Sequence, residues 1–374
     1  VALRAYLRQL ARCGQGAAAR RAYDGFARRL GQELGIEPSR DTRELLIALE
    51  TDTATAAAAP QSSEGFVGRR AELRTLAALF AQPDCRLVTL VGPGGVGKSR
   101  LARQAIAELA PALADSQAFV ALDDLTQAQD LGTRIARDMG LALAGADAPL
   151  AQVARHLASR RCLLVLDGFE QLTGAVGLLT WLIGQCPGLR VIVTSRVRLG
   201  LEREWLLPLD GLPAPAPEDD AHAEAFDAVR LFAWHARRAD ASFALEAERA
   251  AIAEICRLVE GLPLALEMAA AWTRLVGCRA IASDLKRGAE LLVGPERPQR
   301  QASIDATFEQ SWRLLAPAER DALARLAVFH DGFAHEAARQ VAGAALPVLS
   351  ALVDKSLPRV AAGRFGMHAL IGQW

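Results

Sequence analysis

A glycine-rich loop is the feature that most constrains the fold of this 374-residue chain. Residues 92–99 read GPGGVGKS and fit the pattern G-x-x-x-x-G-K-[S/T] at every fixed position. An apolar, β-branched run at residues 86–91 precedes the loop, and a helical pattern at residues 100–107 follows it. A strand, a glycine loop and a helix start in this order predict a phosphate-binding loop, rather than a glycine-rich turn that binds nothing.

The residue types in this loop indicate how it would hold phosphate. Glycines allow backbone N–H groups to turn inward, and the N-terminus of the following helix adds partial positive charge. Lys98 is predicted to reach the β- and γ-phosphates, and the Ser99 hydroxyl to bind Mg²⁺. The predicted nucleotide contacts of the loop are Gly92, Gly94, Gly95, Val96, Gly97, Lys98, Ser99 and Arg100.

Two further apolar runs carry polar side chains to the same edge of the predicted sheet. Residues 162–166 (CLLVL) lead into Asp167, and residues 190–195 (RVIVTS) lead into Arg196. The carboxyl ends of parallel strands meet at one edge, where ligands bind. We therefore predict that Asp167 is the magnesium partner of Ser99 at the Walker B position. Arg196 is predicted to contact the γ-phosphate, with a surface ion pair as the alternative.

The sequence leaves the hydrolytic activity of such a site open. The position after the Walker B aspartate is usually acidic or an amide in hydrolysing relatives, and here it is Gly168. Glu170 is the nearest carboxylate that could orient an attacking water. The candidate catalytic residues are Lys98, Asp167, Glu170 and Arg196, and slow or negligible hydrolysis remains an alternative.

Composition predicts a cytoplasmic, multidomain protein. The chain has 43 basic and 43 acidic residues, and this balance argues against a surface built as a whole for nucleic acid or an anionic membrane. No run of eighteen apolar residues and no signal peptide is present in the sequence. The six cysteines form no C-x-x-C pair and the six histidines no metal-ligand spacing, so neither a zinc site nor haem is expected.

Breaks in the hydrophobic periodicity divide the chain into five segments with different patterns. The chain starts at Val1 and stops at Trp374 inside such patterns, so we expect a piece of a longer protein. The segments are a helical repeat at residues 1–50, a linker at 51–63, a strand-helix domain at 64–210, a helical subdomain at 211–298 and a winged-helix subdomain at 299–374.

The predicted fold is an α/β P-loop NTPase domain with a doubly wound parallel sheet, followed by helical and winged-helix subdomains. An all-α, tetratricopeptide-like segment precedes it. Residues 358–365 are predicted to form the small hairpin that completes the winged helix. In the first segment, four arginines lie off the apolar face, and they form either a solvated surface or a stripe that contacts DNA: Arg20, Arg21, Arg28 and Arg29.

Several short motifs occur in an order that resembles one family. Residues 66–69 (FVGR) precede the loop and the Asp167 strand, and residues 194–196 (TSR), 261–264 (GLPL) and 367–369 (MHA) follow. From residue 64 to residue 374 the chain resembles the STAND signal-transduction NTPases of the NB-ARC type found in bacterial transcription regulators. Residues 1–50 look similar to the end of a bacterial transcriptional activation domain.

This resemblance implies roles for residues outside the phosphate loop. Val67 and Arg69 match the segment that lies over the adenine, and Pro263 matches the proline that packs on the nucleotide. His368 matches the histidine that reaches the β-phosphate of ADP in the closed state. The motif commonly ends in aspartate, and the chain has Ala369 there, which puts the tightness of the ADP lock in doubt.

The resemblance also implies a mechanism and partners. ADP would hold the subdomains closed through Lys98, Pro263 and His368, whereas ATP would gain the Arg196 contact and open or oligomerise the chain. The implied function is an ATP- and ADP-dependent switch of a transcriptional regulator that needs Mg²⁺. Its expected partners are adenine nucleotide, further copies of the chain, DNA through a domain outside this sequence, and RNA polymerase, with no membrane partner.

Three alternatives remain open at this point. A remodelling or DNA-loading ATPase of the AAA+ type would need robust turnover and an arginine supplied by a neighbouring subunit. An anti-phage or cell-death sensor would share the NTPase and differ in its effector. A scaffold would keep its nucleotide for structure alone.

Overall fold

The computed structural model describes residues 65–287, 309, 311–329, 332–361 and 363–367, together with Tyr23. The predictions for the helical repeat at 1–50 and for the linker at 51–63 otherwise lie outside the described residues, as do those for His368 and Ala369.

A five-stranded parallel sheet forms the centre of the segment predicted to bind nucleotide, which is called the nucleotide-binding domain below. Its strands are β1 (Leu87–Val91), β2 (Ser116–Ala121), β3 (Cys162–Asp167), β4 (Leu189–Ser195) and β5 (Trp205–Pro208). They lie in the order β2-β3-β4-β1-β5, and every neighbouring pair is parallel. The predicted parallel α/β fold is therefore confirmed, and the carboxyl ends of β1, β3 and β4 meet at one edge.

Helices cover both faces of this sheet because its central strands are apolar on both sides. β1 and β3 are buried along their whole length, as expected for strands between two layers of helices. Alternate residues of β3 belong to two separate hydrophobic clusters, with Leu163 and Val165 in one and Leu164 and Leu166 in the other. The first cluster includes α1 (Arg70–Phe80) and α2 (Lys98–Leu113), and the second α3 (Leu131–Asp138), α4 (Pro149–Leu157) and α5 (Val176–Gln185).

A helical subdomain follows the sheet, within the predicted limits of residues 211–298. Its helices are α6 (Asp227–Ala239), α7 (Leu245–Leu258), α8 (Pro263–Ala271) and α9 (Cys278–Arg287). Their buried side chains, including Phe232, join the cluster that also contains α1 and α2. The helical subdomain thus shares its core with one face of the nucleotide-binding domain. Among the described residues, no helix combines the length and the apolar character needed to cross a membrane.

The C-terminal module, residues 311–367 as far as described, combines helices with a hairpin. It contains α10 (Pro317–Leu326), α11 (His335–Ala342) and α12 (Leu346–Asp354), followed by antiparallel β6 (Pro358–Ala361) and β7 (Arg364–Met367). Phe333 forms a bridge to Phe365, and their rings stack with centroids 5.7 Å apart. The hairpin lies where the sequence placed it and extends two residues further.

Candidate nucleotide-binding site

The loop between β1 and α2 has the backbone geometry that a phosphate loop needs. Gly95 and Gly97 have φ of 80° and 97°, which side chains rarely tolerate. A Cβ at Gly92 would lie 2.7 Å from the Leu209 carbonyl oxygen, so this position is also closed to larger residues. Gly97 directly precedes α2, whose first turn (KSRL) carries no acidic residue. The residues present therefore fit an anion at the N-terminus of α2.

Lys98 is the first residue of α2 and turns back over the loop. Its Nζ donates hydrogen bonds to the carbonyl oxygens of Gly92, at 2.7 Å, and Pro93, at 3.0 Å. Burial lowers the pKa of Lys98 to about 8. The Glu170 carboxylate opposes this lowering, whereas the positive charge of Arg196 increases it. Asp167 also acts on Lys98, so all four predicted catalytic residues lie close enough to interact electrostatically at the carboxyl edge of the sheet.

Asp167 ends β3 with its carboxylate fixed by the neighbouring strand. Its side chain is buried, and Oδ1 accepts a hydrogen bond from Thr194 Oγ1 at 2.5 Å. Thr194 lies directly opposite Asp167 in the β3–β4 register, and its Oγ1 accepts the Gly168 N–H at 2.9 Å. Carboxylate and hydroxyl oxygens are ligands that Mg²⁺ prefers, so Asp167 and the exposed Ser99 fit the predicted metal role.

Glu170 and Arg196 form an ion pair at the same edge. Arg196 Nε lies 3.2 Å from Glu170 Oε1, and the two side chains are 10% and 13% exposed. The ion pair that the sequence offered as an alternative for Arg196 thus exists, but it is buried and not on the surface. The Glu170 Oε2 atom is also buried and has no hydrogen-bond partner among the described residues. Burial lowers the pKa of Arg196, and Glu170 opposes the shift.

Arg196 also contacts the C-terminal module. Its Nη1 donates a 2.7 Å hydrogen bond to Ser311 Oγ, and both residues are buried. Sequence reasoning missed Ser311 because 115 positions separate the two residues and no local pattern links them. It also missed Thr194, although the position of this threonine at the end of an apolar strand beside Arg196 was a usable signal.

Arg69 supports the phosphate loop from the side. Its Nη2 donates to the Val96 carbonyl at 3.0 Å and to the Asp210 carbonyl at 2.6 Å, while Nη1 pairs with Glu72 at 2.6 Å. Arg69 thereby joins the loop, the segment after β5 and α1. Val67 is partly buried against the main core. Contact of Val67 and Arg69 with an adenine stays a prediction.

Helix α8 begins directly against the phosphate loop. The Leu264 N–H donates to the Gly95 carbonyl at 3.2 Å, and a Cβ added at Gly97 would lie 3.9 Å from Pro263 Cγ. One turn further along, Glu267 pairs with Arg100 of α2 at 3.4 Å. Helix α8, which begins at Pro263, and Arg100 of α2 therefore both lie at this loop. Packing of Pro263 on a nucleotide stays a prediction.

Gly261 allows the first turn of α8 to lie against the phosphate loop. Gly261 has φ of 64°, and a Cβ there would lie 1.9 Å from the Leu212 carbonyl oxygen. The Leu212 N–H in turn donates to the Gly261 carbonyl at 2.8 Å. Residue 261, the glycine of the GLPL run, must therefore be glycine because the backbone of Leu212 approaches it closely.

Comparison with protein families identifies two domains. Residues 2–49 match the model described as a bacterial transcriptional activator domain, and residues 82–193 match the model described as an AAA domain. The second match contains the phosphate loop, β3 and most of β4. The predicted N-terminal activation domain and the P-loop ATPase domain are both confirmed at this level.

Three curated proteins are similar to this chain over most of its length. Rv0890c of Mycobacterium tuberculosis, which bears the name of an HTH-type transcriptional regulator, is 37% identical over 75% of this chain and 31% of its own length. The uncharacterized protein Rv0894 of the same organism is 34% identical over 74% of this chain and 68% of its own length. The regulatory protein AfsR of Streptomyces coelicolor is 29% identical over 97% of this chain and 39% of its own length. The chain thus spans about a third of Rv0890c.

A solved structure supports the fold. The Walker-type ATPase PABY2304 of Pyrococcus abyssi superposes with a TM-score of 0.53, covering 83% of this chain and 96% of that one. At 15% identity the likeness concerns the fold alone.

Proposed function

This chain belongs to the same family as the mycobacterial protein Rv0894, and from that premise we propose that it is the ATP- and ADP-dependent switch of a transcriptional regulator. One observation carries the proposal: three parts of the molecule meet at the phosphate loop and the adjoining sheet edge. Helix α8 contacts the loop at Gly95, and the C-terminal module contacts Arg196. A phosphate group bound at the loop would therefore lie near contacts that the helical subdomain and the C-terminal module both make with the nucleotide-binding domain.

The binding roles follow from the residues present. Lys98 holds the β- and γ-phosphates, while Ser99 and Asp167 hold Mg²⁺. When bound, Mg²⁺ would neutralise part of the phosphate charge. Arg69 and Val67 border the base, and Thr194 keeps the Asp167 carboxylate pointing along the sheet edge.

The switch itself is of the NB-ARC type, with residues 299–374 as its winged-helix subdomain. In the ADP form, Pro263 and His368 keep α8 and the C-terminal module against the loop. In the ATP form, Arg196 turns to the γ-phosphate, the module leaves the loop, and copies of the chain associate. Moving the population from mostly closed to mostly open requires a differential affinity of about 5 kcal/mol. The free energy of exchanging a few charge-assisted hydrogen bonds to phosphate is of that order.

Hydrolysis is slow in this proposal. Gly168 supplies no carboxylate or amide at the position directly after Asp167, where hydrolysing relatives usually carry one. The AAA-domain match keeps a remodelling ATPase as the second candidate. A remodelling enzyme needs sustained turnover, so a steady-state phosphate-release assay separates the two functions.

The regulatory output lies with the N-terminal part of the protein. The activator-domain match at residues 2–49 and the name of Rv0890c support a role in transcription. DNA is contacted through a domain beyond this sequence, and RNA polymerase is the proposed target of the activated form.

Released nucleotide tests the switch directly. The freshly purified chain is denatured, and any nucleotide set free is identified by ion-exchange chromatography. Near-stoichiometric ADP is expected, because Lys98 and Pro263 both lie at the phosphate loop. An empty protein that also takes up neither ADP nor ATP would contradict the proposed function.

A further inference from the structure

The segment that follows β4 is attached to the C-terminal module by hydrogen bonds and by an ion pair between the side chains of Arg198 and Asp354. Arg196 Nη1 donates to Ser311 Oγ at 2.7 Å, and Ser356 Oγ donates to the Arg196 carbonyl at 2.8 Å. The Arg198 N–H donates to the Asp354 carbonyl at 3.1 Å. The module therefore holds Arg196 by its side chain and by its backbone at once.

The hydrogen bond between Arg196 and Ser311 has two features that strengthen it. Arg196 and Ser311 are 8% and 4% exposed, so their hydrogen bond is shielded from water and has a charged donor. Ser356 supports it with a backbone φ of 57°, which is uncommon for a residue with a side chain. The surrounding module thus holds Ser356 in a costly conformation while its hydroxyl contacts Arg196.

The guanidinium of Arg196 is therefore engaged on two sides. Its Nε faces Glu170, and its Nη1 faces Ser311. Recognition of phosphate by arginine commonly uses two parallel N–H donors of this planar fork. A γ-phosphate that approached Arg196 in this way would compete with the Ser311 hydroxyl, the Glu170 carboxylate or both.

We propose that Ser311 sets the preference between ADP and ATP, because its hydroxyl competes with the γ-phosphate for the Arg196 guanidinium. This inference rests on the proposed nucleotide switch. ATP must break the Arg196–Ser311 hydrogen bond to gain its own contact, whereas ADP carries no γ-phosphate and leaves the bond intact. Ser311 thereby couples the position of the C-terminal module to the identity of the nucleotide.

Nucleotide affinities of the full chain test this inference. Calorimetric titration measures ADP and a non-hydrolysable ATP analogue, each with Mg²⁺, on wild-type protein and on Ser311→Ala. The variant is expected to bind the ATP analogue about tenfold more tightly, the range for a hydrogen bond to a charged group, with unchanged ADP affinity. An unchanged ratio of the two affinities, or weaker binding of the ATP analogue, overturns the inference.

Two controls separate this effect from looser packing. Arg198→Ala removes the half-exposed pair with Asp354 across the same interface, and it should leave both affinities unchanged. Ser311→Thr and Ser311→Val have the same shape and differ by the hydroxyl, so the threonine variant should keep the wild-type ratio and the valine variant should follow alanine. If wild-type protein binds neither nucleotide, the proposed function fails, whereas wild-type binding with no difference between threonine and valine defeats the Ser311 inference alone.

Discussion

At the scale of single residues, the site depends on side chains that orient other side chains. Thr194 is an example, because its one hydroxyl donates to Asp167 and accepts from the Gly168 N–H. Lys98 depends on its surroundings in another way, since burial brings its pKa to about 8 and so close to physiological pH. Both effects predict measurable changes in nucleotide binding.

Nucleotide binding should depend on pH through Lys98. Bound phosphates raise the pKa of a neighbouring ammonium group, so binding takes up a proton wherever free Lys98 is neutral. In the nucleotide-free protein the pKa of Lys98 is about 8. The Lys98 contribution to ADP affinity should therefore be constant below that pH and fall above it, by at most about tenfold per pH unit. Calorimetry in two buffers with different ionisation enthalpies measures the uptake.

The matched control for this prediction is Lys98→Arg, whose guanidinium stays charged over the same range. The variant should bind more weakly but lose the pH dependence. A wild-type affinity that stays constant to about pH 9.5 would contradict the assignment.

Replacing Thr194 by valine keeps the side-chain shape and removes the hydroxyl. The buried Asp167 Oδ1 and the Gly168 N–H then lose their partner, which costs about 1–3 kcal/mol of unfolding free energy. Binding of ATP with Mg²⁺ should weaken more than binding of ADP without it. Urea unfolding and titrations with and without Mg²⁺ measure both effects.

Thr180→Val serves as the comparison, because the Thr180 hydroxyl bonds the Val176 carbonyl on an exposed helix face. It should leave stability and magnesium dependence almost unchanged. Equal losses in the two variants would show that Thr194 has no special role in orienting Asp167.

At the scale of elements, the sequence predicted the strands and motifs better than the contacts between them. The β1 and β3 runs were recognisable because strands buried on both faces must be apolar throughout. The glycine pattern predicted the phosphate loop because its positive φ angles exclude other residues. Contacts such as Arg69 with Asp210 could not be predicted, since they join positions 141 residues apart that no periodicity connects.

The position of α8 should depend on Gly261. In Gly261→Ala, the new Cβ would overlap the Leu212 carbonyl oxygen at a φ of 64°, so the segment before α8 must shift. We expect a loss of about 1–3 kcal/mol of unfolding free energy and weaker binding of both nucleotides. Denaturant unfolding and ADP titration measure the two quantities.

Gly184→Ala in α5 is the matched control, because a Cβ there meets no atom within 4 Å. This variant should be neutral or slightly stabilising, as alanine favours a helix over glycine. Wild-type nucleotide affinity in Gly261→Ala would show that α8 does not hold the loop.

At the scale of the whole molecule, Arg196 connects the nucleotide-binding domain with the C-terminal module. Its bond to Ser311 crosses between the two parts and is buried, so it holds them together more firmly than the half-exposed Arg198–Asp354 pair does. We therefore expect the Arg196 side chain to contribute to coupling the unfolding of the module to the unfolding of the sheet.

Arg196→Ala should separate these two unfolding events. Removing the guanidinium leaves the largely buried Glu170 carboxylate without its ion-pair partner, a change that typically costs about 3–5 kcal/mol for a fully buried pair. Since the module loses its main polar attachment, α10 to α12 should exchange amide hydrogens faster than β1, β3 and β4. Hydrogen exchange followed by mass spectrometry, together with urea unfolding, measures this difference.

The double variant Arg196→Ala with Glu170→Gln tests whether the uncompensated charge causes the loss. Glutamine keeps the size of Glu170 and removes its charge, so part of the stability should return, whereas exchange in α10 to α12 should stay fast because Ser311 still lacks Arg196. The amide hydrogens of α10 to α12 could instead exchange as slowly in Arg196→Ala as in Arg198→Ala. That result would show that apolar packing attaches the module and that Arg196 acts on the nucleotide alone.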